Sequence, residues 1–338
     1  MVKYKQLIES VFLRILLIRK FINAVLRNLL LPSIQQKEYI SELRTTFRKI
    51  PPLESAKELL PDIAWLSHMN ALKDNVANRD PRRFLRWDVI TGTMFTGNAP
   101  YISTELNYLK NHADWNMRWT SVIEESSVGH PVLCPFYPQS SGNLIHNAYH
   151  VAQFEEKTEI KIHNMDYVFE FGGGYGSMCR LLFNLGFKGR YIIFDLHPFS
   201  ALQKYFLKNI GLPVLSSNTF NKQETGILCL SDIRELKALF AENKEKSKSV
   251  FIATWSISES PISVRELILP HIIDFSSFLI AYQDIFGGTN NLDYFRNWQN
   301  AHTDVTWHSS KIEHIPGNNY LFGANLNNIT NEFYDRRQ

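Results

Sequence analysis

From Glu170 to Gly176 the chain reads Glu-Phe-Gly-Gly-Gly-Tyr-Gly, a carboxylate followed by residues that tolerate backbone bends other side chains resist. The glycines fall as G-x-G-x-G at Gly172, Gly174 and Gly176, with Tyr175 between the last two. The G-x-G-x-x-G spacing that presses a pyrophosphate against a helix N-terminus is a different one. Glu170 would crowd such a phosphate, whereas it suits the amino-acid end of a phosphate-free donor, S-adenosylmethionine (SAM). Asp195 lies roughly two dozen residues past Gly172, at the end of a second strand, where a ribose-binding carboxylate belongs. Asp232 follows a third strand and is placed to meet an adenine amino group, and Trp255 completes the expected cofactor set. A Rossmann-like fold with another cofactor, a nicotinamide or a flavin, is the alternative.

Histidine is the side chain best matched to proton transfer near neutral pH. His146 and His150 are four apart on one expected helix and share a face, so His146, and after it His150, are the candidate bases. A structural pair is the competing reading. An i, i+4 metal pair is a third, but no HExxH glutamate lies between them and no third ligand is evident, so no metal site is assigned. Glu259, shortly after a fourth strand, is the other candidate base or sugar-binding group, with Asp284 in the equivalent place after a fifth; either could instead cap a helix. Trp255 and Tyr282 could line an acceptor pocket or belong to the core. Were a divalent cation needed, Asp232, Glu259 and Asp284 would be the carboxylates to test.

The elements that must carry these residues follow from pattern. Ser140 to Asn143 precede a helical run from Leu144 to Glu155. Asp166 to Phe171, Arg190 to Phe194, Ile227 to Leu230, Val250 to Thr254 and Phe278 to Tyr282 read as strands separated by helices, which predicts a parallel, doubly wound sheet. Val305 to Ile315 and Tyr320 to Leu326 flank a Pro-Gly-Asn-Asn turn and read as a closing antiparallel hairpin. The expected organisation is a basic amphipathic segment over residues 1–35, a mainly helical cap over 36–164, and a Rossmann-like domain over 165–338. Asp80 to Trp87, basic and aromatic, could stack on a sugar or contribute Phe84 and Trp87 to the core.

Composition excludes several classes. A net charge of +3 is too small for the dense basic face of a nucleic-acid binder. Cys134, Cys179 and Cys229 are far apart and odd in number, which fits a reducing cytoplasm. Residues 7–31 are apolar but broken by Arg14, Arg19, Lys20 and Arg27, too often for a spanning helix. They read as a peripheral contact with the inner face of a membrane, or as a helix packed on its own domain or on a second copy in a homodimer.

The sequence resembles the sugar O-methyltransferases of bacterial surface-polysaccharide clusters. Three blocks carry the resemblance: Glu170 to Gly176, Ser140-Ser-Gly-Asn-Leu-Ile-His146 with Ala148-Tyr-His150, and Trp255-Ser-Ile-Ser-Glu259-Ser-Pro261. It extends from about Arg79 to Gly323. The resemblance implies a class I methyltransferase fold, SAM as donor, and a sugar hydroxyl on a small molecule or glycan as acceptor. A methyltransferase for another small acceptor, or a non-catalytic binding protein, are the other readings.

Overall fold

The computed structural model describes residues 31–50, 63–97, 99–242 and 248–325, together with single helical positions before residue 31, Tyr4 and Phe12 among them. The expectation for residues 7–31 otherwise lies outside the described residues.

Seven strands form the central sheet: β1 (Tyr167–Phe171), β2 (Arg190–Phe194), β3 (Gly226–Leu230), β4 (Ser249–Thr254), β5 (Ser277–Gln283), β6 (Val305–Lys311) and β7 (Asn318–Asn325). Their spatial order is β3-β2-β1-β4-β5-β7-β6. The first five pair in parallel, while β7 runs antiparallel to both β5 and β6. This is the expected doubly wound, Rossmann-like sheet, mostly parallel, with the closing antiparallel hairpin at the expected place. β1 to β5 are buried along almost their whole length, as strands covered on both faces must be.

Alternation along the strands sorts side chains to two cores. Val168, Ile193, Ile252 and Phe322 face one side, and Phe169, Ile192, Phe251 and Leu321 the other. The first side carries α1 (Ile34–Lys49), α2 (Ile63–Asn78), α3 (Tyr101–Asn111), α4 (Gly142–Thr158), α5 (Ser177–Asn184) and α6 (His197–Asn209). Their buried residues form one continuous cluster with that face of the sheet. The second side carries α7 (Ile233–Glu242), α8 (Ile262–Ile268) and α9 (Asn291–Ala301). Phe84 and Trp87 are buried in the first cluster, at 0% and 3% exposure, so the basic aromatic segment supplies core and not a sugar platform. Among the described residues no helix is long and apolar enough to cross a membrane.

Buried ion pairs hold the helical layer together. Arg118 holds Glu155 of α4 through two hydrogen bonds of 2.6 and 2.7 Å. Arg180 of α5 pairs with Glu125, and Glu125 in turn accepts from the Ser141 hydroxyl. That same Ser141 oxygen caps α4 by accepting from the Leu144 amide at 3.2 Å. The start of α4, and with it the rotational setting of His146, is therefore fixed from two directions.

Candidate active site

The order of the sheet reverses between β1 and β4, and at such a switch point the loops leaving the strands part to open a crevice. A cavity of about 470 Å³ lies there, lined by the loop after β1, the ends of β2 and β4, and the first turns of α4. That volume is ordinary for a small-molecule site.

The glycine loop is shaped by close contacts. Gly172 has φ +71°, and a Cβ at this position would lie 2.3 Å from the Ser256 Cβ. Gly174 (φ +57°) and Gly176 (φ +96°) also lie in the left-handed region. Any other residue at Gly172 would therefore meet backbone strain and overlap together, of order 2–4 kcal/mol. Gly176 is outside the residues lining the cavity and caps the start of α5.

Glu170 is buried beneath the loop and accepts from the Tyr191 hydroxyl at 2.8 Å. Burial raises its carboxyl to about 8, with the neighbouring Asp195 adding to the rise against the Tyr191 hydrogen bond. Asp195 opens onto the cavity and accepts from Gln203 Nε2 at 2.8 Å and from the Leu196 amide at 2.7 Å. Burial carries its carboxyl up to about 7 despite these bonds. Gln203 also donates to the Gly174 carbonyl at 2.9 Å, so one side chain on α6 clamps the loop to the acid. Sequence reasoning missed Gln203, whose position on a helix carries no local mark of this role.

Asp232 lies elsewhere. It is outside the residues lining the cavity, at the entrance to α7, held by Arg234 Nη2 at 2.7 Å and by the Arg234 amide at 2.8 Å. The basic side chain two residues on pairs with this carboxylate, which is 38% exposed. Asp284 accepts from Asn319 at 2.6 Å, and Tyr282 packs against Phe295 in the second core; neither lines the cavity. The carboxylates considered for a cation are thus held apart, and among the described residues no group of three or more potential ligands could hold a metal ion.

His146 and His150 part company as well. His146 lines the cavity, its ring stacked on Trp255 at 5.3 Å and 17°. Its Nδ1 lies 2.8 and 2.9 Å from the two oxygens of Glu105, a fully buried α3 residue. Burial alone would raise the Glu105 carboxyl, but the charges and hydrogen bonds of His146 and His314 outweigh it and hold it below the usual value. Glu105 was not expected from sequence, because a single acid on an amphipathic helix looks like a solvated position. His150 is fully buried, bonded through Nδ1 to the Tyr320 hydroxyl at 2.5 Å, and absent from the lining. Burial first, then the neighbouring histidines, push it well below the ordinary histidine range, so it is neutral core and not a base at the cavity.

Trp255 takes φ +64°, a strained setting for a large side chain. It is held there by its amide to the Ala281 carbonyl (2.7 Å) and its indole N–H to Asn318 (2.6 Å). The turn it begins brings Glu259 to the cavity wall, where Gln283 donates to Oε1 at 2.7 Å and burial raises the carboxyl. Glu259 caps no helix, since α8 starts only after Pro261. Asn143, from the block before His146, accepts from the Thr96 amide at 3.1 Å and donates to the Met94 carbonyl, which secures another wall.

No protein-family model matches the chain, and no curated protein matches it in sequence. Among solved structures it is similar to M. capricolum TrmK in complex with S-adenosyl-homocysteine (SAH), at 15% identity and TM-score 0.33, over 52% of this chain and 66% of that one. It is also similar to the methyltransferase domain of bacterial CtHen1, at 11% and 0.37, over 53% and 97%. A third is the Methanococcus jannaschii fibrillarin pre-rRNA processing protein, at 13% and 0.35, over 49% and 68%. The fold assignment rests on the chain's own strand order.

Proposed function

We propose that this chain is a SAM-dependent O-methyltransferase whose acceptor is a sugar hydroxyl, free or within a glycan. One observation carries the reading. A single cavity at the sheet's switch point joins the glycine loop and Asp195, suited to a nucleoside with an amino-acid tail, to a histidine backed by a buried carboxylate. The loop after β1 and Glu170 would take the amino-acid end, and Asp195 the ribose hydroxyls, for which an ionised carboxylate is an acceptor-only partner. The residues present fit this donor: the acids suit hydroxyl and ammonium groups, and among the described lining residues no lysine or arginine awaits a pyrophosphate.

When bound, SAM supplies a methyl group already activated by its positive sulfur. The chain's own work is then positioning and proton removal. His146, on the wall between Trp255 and Tyr101, takes the acceptor's hydroxyl proton. Glu259 holds a neighbouring hydroxyl, and the Trp255 edge shapes the sugar's seat. A lining with three acids, Glu170, Asp195 and Glu259, and no described lysine or arginine favours an uncharged acceptor over a polyanion such as RNA. A methyltransferase for another small neutral acceptor is the second reading, favoured by the same lining.

Methyl-labelled SAM offered with the protein to a bacterial surface-glycan fraction and, separately, to RNA is expected to leave label in O-methyl sugars after acid hydrolysis. Label in RNA, or in N-methyl products, would contradict the acceptor class.

A further inference from the structure

Glu105 faces two histidines at once. Its oxygens lie 2.8 and 2.9 Å from His146 Nδ1, and Oε1 also lies 2.9 Å from His314 Nε2, on the turn between β6 and β7. The carboxylate is fully buried, while the His146 and His314 side chains are 5% and 14% exposed. The other groups around the cluster are the rings of Tyr101, Tyr149, His150, Trp255 and Tyr320. An ionised carboxylate only accepts hydrogen bonds, and a neutral imidazole carries one N–H. Two ring nitrogens at hydrogen-bond distance from one carboxylate must each therefore bear the hydrogen. That leaves the lone pair of a neutral His146 on Nε2.

We infer that Glu105 and His314 are positioning residues for His146. Glu105 selects the Nδ1–H tautomer of His146 and fixes the plane of its ring, and His314 anchors Glu105 from the opposite side. The inference rests on His146 as the base of the proposed function. In that reaction the methyl–sulfur bond breaks as the methyl–oxygen bond forms, and the hydroxyl proton passes to His146 Nε2. The resulting imidazolium is ion-paired with Glu105. The wrong tautomer would present an N–H to the hydroxyl and could take no proton from it. The three residues are brought together from positions 105, 146 and 314, so the base is assembled only when α3, α4 and the β6–β7 turn are all seated.

The test is the protonation pattern of the histidine rings in ¹⁵N-labelled protein at neutral pH, read from long-range proton–nitrogen spectra and assigned with His146→Gln. The expected result is Nδ1–H on His146 and Nε2–H on His314. Glu105→Gln, which keeps the volume and can donate as well as accept, is expected to give a mixture of His146 tautomers. It should also lower kcat on the order of 10²-fold or more with little change in KM or in SAH affinity. His146 carrying its hydrogen on Nε2 in the wild type overturns the inference, as does an unmixed tautomer in Glu105→Gln. Should that variant fail to fold, the wild-type spectrum still decides. His314→Ala takes away one of the two groups that hold the buried Glu105 carboxyl down, so that carboxyl can turn or take a proton and donate, which is expected to admit the second tautomer of His146; an unchanged spectrum there removes His314 from the assignment. Full activity in His146→Gln would instead sink the choice of base, while leaving the measured tautomer intact.

Discussion

Replacing His146 by glutamine is expected to lower kcat by about 10²–10⁴-fold, the usual contribution of a positioned general base. SAH affinity should be almost unchanged. The separation of the two effects follows from the geometry. His146 stands on α4, stacked on Trp255, and its ring hydrogen-bonds Glu105 and not the glycine loop. Glutamine retains a donor for Glu105, so the buried carboxylate keeps a partner in addition to His314. Single-turnover kinetics with methyl-labelled SAM would report the chemical step directly. His150→Gln makes the contrast: its side chain lies in the core against Tyr320, so the loss expected there is in stability, with turnover per folded molecule close to the wild type. A turnover unaffected in His146→Gln and abolished in a folded His150→Gln would reverse the assignment.

Asp195→Asn should weaken SAH binding by about 10²–10⁴-fold, the loss of two hydrogen bonds to a charged group at about 1.5–3 kcal/mol each. The ligand needs the ionised carboxylate, and burial has raised this carboxyl to about 7 in the free protein. Below that value binding must expel a proton, so affinity falls as the pH is lowered and levels off above it. The sign is fixed: ligand favours the charged form, and acid favours the other. Calorimetry from pH 6 to 8 should show wild-type affinity rising with pH, and the Asp195→Asn variant should flatten that part of the profile. Glu170, raised to about 8 by burial, adds a second rise at the upper end. A pH-independent wild-type affinity would separate Asp195 from the ligand.

Much of the architecture was legible because its signals are local. Each of the five parallel strands is a short apolar run ending at a turn, and the glycine loop announces the first crossover. His146 was expected on a helix ahead of the first strand, and that helix sets it in the cavity wall. What could not be read depends on distant partners. Glu105 gains its meaning from residues 41 and 209 positions away, and Gln203 from the loop 29 positions before it. The partner of Asp232 is nearer but equally unmarked: Arg234, two residues on, pairs with it at the entrance to α7. His150 shares the face of His146, yet one helical turn carries it beneath β7, where Tyr320 closes over it. The sequence pattern offers the face, and the packing decides which residue on it meets the cavity.

The most direct test of the central claim is a crystal structure of the protein grown with SAH. The ligand is expected in the cavity at the ends of β1, β2 and β4, its ribose hydroxyls on Asp195 and its amino-acid end against the Gly172–Gly174 bend. A bend filled by side chains, or a protein that leaves SAH unbound and takes up NADH in its place, would contradict it.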